Sequence, residues 1–238
     1  FDAEVEIIDP KDQSHDEQRK MYAELFWKDQ KRKGYTLYDV ERLMWERNYF
    51  ASMMVKNGDA DAMLSGYSRN YRSVVKPILE TISKAKGVSK VAATNLMLTK
   101  SGPLFLSDTT INVEPSSKEL AKIAQMTGHM AGLFGIEPVI ALLSFSNFGS
   151  SRFSQAKKVT EAVSILHRSN PNLVVDGPIQ SDFALNKELL HKVFPFSSLK
   201  NKKVNVLVFP NLDAANITYK LMKELNEALS IGPILMGL

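Results

Sequence analysis

Uninterrupted apolar runs alternate along the chain with stretches in which apolar residues return every three to four positions. The runs predict strands at 5–8, 60–64, 91–98, 139–145, 173–175, 204–209 and 234–236. The periodic stretches predict helices at 16–33, 36–56, 71–85, 117–134, 155–168, 181–193 and 214–229. Thr36 and Ser116 or Ser117, with Glu119 close behind, are suited to cap helix starts. Glycine and proline separate the elements, as at Gly87, Gly102-Pro103, Gly135 and Pro138. A turn near 99–103 and the hairpin-like LFLSDTTINV at 104–113 predict a local antiparallel element.

Strands alternating with helices predict an α/β fold with a largely parallel sheet covered on both faces. The runs at 139–145 and 204–209 are apolar at nearly every position, the pattern of a strand buried on both sides. In such sheets ligands bind beyond the carboxyl ends of the strands. The segments that follow the predicted strands are SGYSRNY, SDTTIN, SFSNFGSS, DGPIQSD and PNLDAAN, all rich in Ser, Asn, Asp and Gly. Five polar segments at equivalent places point to a shared site.

The chain has 238 residues, enough for one large α/β domain or two small ones. No apolar run approaches the ~20 residues of a membrane span. The acidic start FDAEVEIIDPKD lacks the basic and apolar regions of a secretory leader, so a cytoplasmic location is expected. With no cysteine, disulfides, thiolate metal sites and Cys nucleophiles are excluded. A formal charge of +4 is modest, and the Lys31-Arg32-Lys33 cluster has no nucleic-acid signature around it, so it reads as a solvated helix end. No G-x-G-x-x-G follows a strand, and neither a Walker loop nor G-x-S-x-G is present. The four histidines lie far apart, and no metal site is predicted.

What remains is anion chemistry. The loop SNFGSS offers hydroxyls from Ser144, Ser146, Ser150 and Ser151, an amide from Asn147 and backbone N–H groups freed by Gly149. A helix follows it, with Arg152, Lys157 and Lys158 adding charge. Helix N-termini favour anions, so a phosphate or phosphorylated cofactor fits there; the same serines also suit simple helix capping. In SGYSRNYRSVVKP, Arg69 lies in the loop, while Arg72 and Lys76 share a helix face. Asp176, Asp182 and Asp213 are the loop carboxylates available to orient a ligand.

ADAMLSG, FLSDTTINVEPSSKELAKIA, FGIEPVIALLSFSNFGSS, VVDGPIQSDFAL, NVLVFPNLDAANITYKL and GPILMGL, in this order, resemble the phosphotransacetylase (phosphate acetyl/butyryltransferase) family over nearly the whole chain. LSFSNFGSS and PNLDAAN are most similar to the C-terminal phosphotransacetylase-like domain of large bacterial NADP-dependent malic enzymes. The resemblance implies two α/β/α lobes with mostly parallel sheets and an interlobe cleft, as in isocitrate and isopropylmalate dehydrogenases. It implies an incomplete first lobe at 1–85, a second lobe at 86–225 and a return toward the first at 226–238. It also implies a homo-oligomer, a dimer of this domain, and acetyl-CoA or acetyl phosphate as ligand. The expected ligand residues are Ser144, Ser146, Asn147, Ser150, Ser151, Arg69 and Asn216, with Ser65, Lys76, Asp176 and Asp213 as further candidates.

Departures from the family pattern bear on chemistry. The family's Ser-Arg pair and catalytic Asp come from a segment just beyond GPI-x-x-GL, which the chain does not include, so no catalytic residue is assigned here. Its opening strand-helix unit is likewise expected ahead of Phe1. Two family arginines are read as Gln30 and Lys76, and Pro178 replaces a carboxylate. Lysine keeps charge but loses the bidentate fork of arginine. The expectation is an acetyl-CoA-binding regulatory and oligomerisation domain of a malic enzyme, whose NADP and Mg or Mn sites lie in a separate N-terminal part. An active phosphate acetyltransferase is the enzymatic alternative, and a scaffold with an inert cleft is the third.

Overall fold

The computed structural model describes residues 5–226 and 228–238. The chain divides into two compact units, Phe1–Ser83 and Lys84–Leu238.

The described part of the first unit is helical: α1 Asp16–Gln30, α2 Leu37–Leu43, α3 Arg47–Asn57 and α4 Tyr71–Thr81. Tyr22, Phe26, Val40, Met44, Phe50 and Met53 are fully or almost fully buried and form its core. The strands expected at 5–8 and 60–64 are absent. Val5, Ile7 and Leu64 stand exposed, and a strand needs a ladder partner for its backbone groups. Among the described residues of this unit no strand forms. The helix expected at 36–56 is two helices, because the Glu46 side chain accepts from the N–H groups of Asn48 and Tyr49 and caps a new start. Pro77 inside α4 cannot donate to the Ser73 carbonyl one turn back, and Asn48 Nδ2 faces that carbonyl at 3.5 Å.

The second unit holds a six-stranded sheet flanked by helices. Its elements are β1 Ala92–Thr99, β2 Gly102–Ser107, α5 Ser117–Leu133, β3 Val139–Leu143, α6 Ser154–Ser169, β4 Val174–Ile179, α7 Ser181–Leu185, α8 Lys187–Val193, β5 Val206–Val208, α9 Leu212–Asn226 and β6 Leu229–Met236. The strand order is β4-β3-β5-β2-β1-β6. The sheet is mixed: β4-β3, β3-β5 and β5-β2 are parallel pairings, while β1 pairs antiparallel with β2 and β6. The antiparallel element is a β1–β2 hairpin that turns at Lys100-Ser101, within the turn expected near 99–103, while 104–113 forms no hairpin of its own. The segment at 226–238, expected to return to the first lobe, places β6 beside β1.

Side chains on the parallel strands alternate between two cores. Phe105, Ile140, Leu142, Val206 and Val208 pack with Leu120, Ala124, Val163 and Leu166 of α5 and α6. Leu106, Ala141, Leu143 and Leu207 pack with Leu190 and Ala215 of α8 and α9. Burial on both faces is why these runs lack polar positions. Ser116 and Glu119 form a capping box at α5. A hydrogen bond from Lys90, with those from Ser116, holds the Glu119 carboxyl down at about 2. The helix expected at 181–193 breaks at Asn186, whose side chain caps α8 through Leu189 N–H.

Candidate functional site

Because β2, β5, β3 and β4 run parallel, their carboxyl ends share one edge of the sheet. Four of the five predicted polar segments meet there; the fifth, SGYSRNY, lies in the first unit and follows no strand. The segment after β2 is held by the buried Asp108, whose carboxylate accepts from the N–H groups of Ala93, Thr110, Ile111 and Asn112 at 3.0–3.3 Å. Asn112 Nδ2 adds a fifth bond, and Thr109 Oγ1 donates to Asn95 Oδ1 at 2.6 Å.

The segment after β3 is fastened to the end of β4. Ser144 N–H donates to Ile179 O at 3.0 Å and Phe148 N–H to Pro178 O at 2.7 Å. Asn147 uses both ends of its amide: Nδ2 donates to Gln180 Oε1 at 2.6 Å, and Oδ1 accepts from Gln180 N–H at 2.8 Å. Gln180 Nε2 donates to Phe145 O at 2.8 Å. These bonds hold Phe148 at φ +41°, a conformation L residues seldom adopt. Its ring is gripped by Phe194 and Phe196, with centroids 4.9 and 5.0 Å away. Such strain persists where surrounding contacts over-determine it, as at ligand sites.

A cavity of about 280 Å³ opens at this edge, lined by Glu114, Ser144, Phe145, Gln155, Lys158, Pro210 and Asn211. Lys158 Nζ pairs with Glu114 and donates to Pro210 O at 2.9 Å, so its charge is largely answered within the protein. The Ser144 hydroxyl and the side-chain amides of Gln155 and Asn211 supply uncharged donors. Such a lining suits a small group carrying phosphoryl or carbonyl oxygens. A separate surface groove of about 610 Å³ runs along α6 and includes Gly149, Ser151, Arg152, Lys157 and Arg168.

The expected ligand residues therefore fall in several places. Ser144 lines the cavity, and buried Ser146 sits behind it with hydroxyl oxygens 3.5 Å apart. Asn147 fastens the loop, Ser150 Oγ accepts from Asn147 N–H at 3.2 Å, and Ser151 faces the groove. Asn216 donates to Thr109 O at 3.0 Å, tying α9 to the segment after β2. Asp176 accepts from Gly177 N–H, Ser197 Oγ and Ser198 N–H at 2.8–2.9 Å, which ties β4 to residues 197–198. Asp213 is exposed on the first turn of α9. In the first unit, Ser65 donates to Asn48 Oδ1 at 2.9 Å, Arg69 is exposed and Lys76 lies 3.8 Å from Glu80. Gln30 is buried: its Nε2 donates to Glu80 O at 2.5 Å, and its Oε1 has no partner among the described residues. Tyr49 donates to the Glu80 carboxylate, and burial followed by that bond pushes its phenol far up.

Sequence reading missed Glu114, Gln155, Asn211 and Gln180. Gln155 and Lys158 lie one turn apart on α6, and the outward face of that helix was the available signal. The grip of Gln180 on the β3 loop crosses 33 residues and had none. Among the described residues no group of three His, Cys, Asp or Glu is placed to hold a metal ion, and no helix is long and apolar enough to cross a membrane.

Known proteins resemble the chain over its whole length. It is 38% identical to an NADP-dependent malic enzyme of Haemophilus influenzae, over 99% of this chain but 31% of that protein. It is 36% identical to a phosphate acetyltransferase of Helicobacter pylori, over 98% of this chain and 44% of that protein. Both matches use less than half of the relative's length. The crystal structure of a phosphotransacetylase from Streptococcus pyogenes superposes with a TM-score of 0.85 at 35% identity, covering 100% of this chain and 71% of that one. The family model for phosphate acetyl/butaryl transferase matches residues 1–238 from end to end, and the chain belongs to that family.

Proposed function

We propose that the second unit binds the acyl-carrying end of acetyl-CoA, or acetyl phosphate, at the carboxyl edge of its parallel strands, and that it does so as the phosphotransacetylase-like part of a malic enzyme. The observation carrying this reading is the β3 loop: a strained, multiply fastened backbone that brings Ser144 into a small polar cavity beside Lys158. The match to a malic enzyme over 99% of the chain supports the parent assignment. In that parent, malate oxidation with NADP and a divalent metal belongs to a separate part, and this domain reports acetyl-CoA level to it from the cytoplasm. Regulation of that kind requires acetyl-CoA to bind two states of the assembly with different affinity.

The second reading is a working phosphate acetyltransferase, supported by the similarity to the Helicobacter pylori enzyme. Gln30 and Lys76 weigh for the sensor. Where the family carries arginines, Gln30 is buried with its Nε2 given to Glu80 O, and the Lys76 ammonium lacks the guanidinium fork that grips a phosphoryl group in two places. Calorimetric titration of acetyl-CoA into the full-length protein, beside an acetyl phosphate-plus-CoA turnover assay, separates the readings. Binding without turnover is the expected result, with Ser144→Ala weakening binding about tenfold through loss of one hydrogen bond. Turnover replaces the sensor with the acetyltransferase, and the absence of both leaves a scaffold.

Self-association belongs to the same proposal. On α9 the side chains facing the core include Ala215, Tyr219 and Met222, yet Ile217, Leu221 and Leu225 are 58%, 53% and 76% exposed on its other side. Leu229 and Ile231 of the edge strand β6 are exposed as well. A helix apolar on both sides suits a covering partner, and an apolar stripe is complementary to its own copy across a two-fold axis. Leu221→Lys with Leu225→Lys is expected to shift the sedimentation profile toward smaller species. An unchanged profile removes this surface from the assembly.

A further inference from the structure

Lys158 brings an amine into the lining of the cavity of about 280 Å³, beside Ser144, Gln155 and Asn211. Its side chain is 16% exposed, and two bonds hold Nζ in place: an ion pair with Glu114 and a hydrogen bond donated to Pro210 O at 2.9 Å. A charge met in this way adds little to the binding of an anion, because the protein's own carboxylate already offsets it. A nitrogen held still at a cavity wall serves a different end when the guest carries an electrophilic carbon. The neighbouring Lys157 is exposed and lines the separate groove along α6.

An amine attacks a carbonyl carbon after losing a proton, and the acceptor of that proton must lie within hydrogen-bond reach. The Glu114 carboxylate meets that condition at Lys158. The carbonyl oxygen gains negative charge as the new bond forms, and donors fixed around it stabilise that charge. The Ser144 hydroxyl and the side-chain amides of Gln155 and Asn211 line the same space. A group confined to so small a volume lies close to every wall. The amine and an acyl carbon therefore meet at an effective concentration far above that in solution.

We propose that Lys158 Nζ is an acetylation site, modified by the acyl thioester or acyl phosphate that the cavity holds. This rests on the acyl-ligand reading above. Glu114 takes one proton from the ammonium, and Nζ forms a bond to the acyl carbon. The C–S bond of the thioester, or the C–O bond to phosphate, breaks, and the leaving group departs with the electron pair. A second proton from the nitrogen passes to that leaving group, and Glu114 gives its proton to water. The products are an amide and a free thiol or phosphate. The amide has no charge to pair with Glu114, and its acetyl group fills space that the ligand used. Modification thus closes the cavity and records acyl supply covalently.

The test incubates the full-length protein separately with acetyl-CoA and acetyl phosphate and measures acetylation of each lysine by mass spectrometry. Acetic anhydride, which needs no binding site, is the control. With the acyl ligands, Lys158 is expected to react about tenfold ahead of Lys157, at a rate that saturates with ligand concentration. With the anhydride the order is expected to reverse, because Lys157 is the exposed one. Reaction with either ligand supports the site, and the faster one names the source. Glu114→Gln is expected to slow modification of Lys158 about a hundredfold, the size of a lost proton acceptor. Acetylated protein is expected to bind acetyl-CoA about tenfold more weakly by calorimetry, while Lys158→Arg keeps through the same incubation the affinity it had before it. Lys158 left unmodified in a protein that binds acetyl-CoA, or modified only in the anhydride order, overturns the acetylation site while the acyl-ligand reading stands. A Glu114→Gln variant that reacts as fast as the wild type overturns the step as written. A wild type that neither binds acetyl-CoA nor is modified overturns both readings.

Discussion

Asp108→Ala is expected to cost the second unit about 3–5 kcal/mol of unfolding free energy, one of the largest single losses available in the chain. The side chain is 3% exposed, and its two oxygens accept from four backbone N–H groups and one side-chain amide. Removing the carboxylate leaves those donors facing one another in a space closed to most water. Each unmet donor costs about 1–3 kcal/mol, and the sum falls short of additive because the segment relaxes and admits some water. Asp108→Asn is expected to be nearly as costly, since its NH2 group would point a sixth donor at the same donors. Urea unfolding followed by circular dichroism measures this. A midpoint shift worth less than about 1 kcal/mol for both variants would mean that the 108–112 turn holds its shape without the carboxylate. The loss also reaches the site, because Thr109 anchors Asn216 of α9 and Glu114 lines the cavity just beyond this turn.

The sequence announces this position only in part. SDTTIN stands out as polar residues after an apolar run, but polar strand-end turns are common. Nothing local says that Asp108 is sealed inside while Asp213 stands in water. The strands β3 and β5 were legible because burial on both faces leaves no polar position, and α5 because Ser116 and Glu119 spell its start. Other boundaries were set by interactions that periodicity cannot register. Glu46 and Asn186 cap new helices inside stretches whose apolar spacing continues through them. The β1–β2 hairpin was legible in its turn near 99–103, but the second antiparallel pairing was hidden because β6, at the far end of the chain, pairs with β1 across more than 130 residues. At the site, Ser144 could be picked by type and place. Asn147 was picked for its amide, and that amide is spent on Gln180.

Gly177→Ala tests whether the β3 loop owes its position to the close approach of β4. Gly177 has φ +148°, and a Cβ built there would lie 2.5 Å from Leu142 O and 3.2 Å from Leu142 Cβ. The obstacle is backbone of the neighbouring strand, so no side chain can swing aside. Gly149→Ala supplies the control: its φ is +85°, and nothing stands within 4 Å of the added carbon. The control should lose about 1–2 kcal/mol, the cost of placing an L side chain in the left-handed region. Gly177→Ala should lose that and about 2–3 kcal/mol more for pushing β3 and β4 apart. Residues 178–180 hold Phe148, Ser144 and Asn147, so the same displacement carries the loop with it. Acetyl-CoA affinity should therefore fall well over tenfold in Gly177→Ala measured below its unfolding temperature, and only a few-fold in Gly149→Ala. Equal stability losses in the two variants would remove the strand collision from the argument. A destabilised Gly177→Ala that binds acetyl-CoA as the wild type does would show that the ligand does not depend on the loop that β4 holds in place.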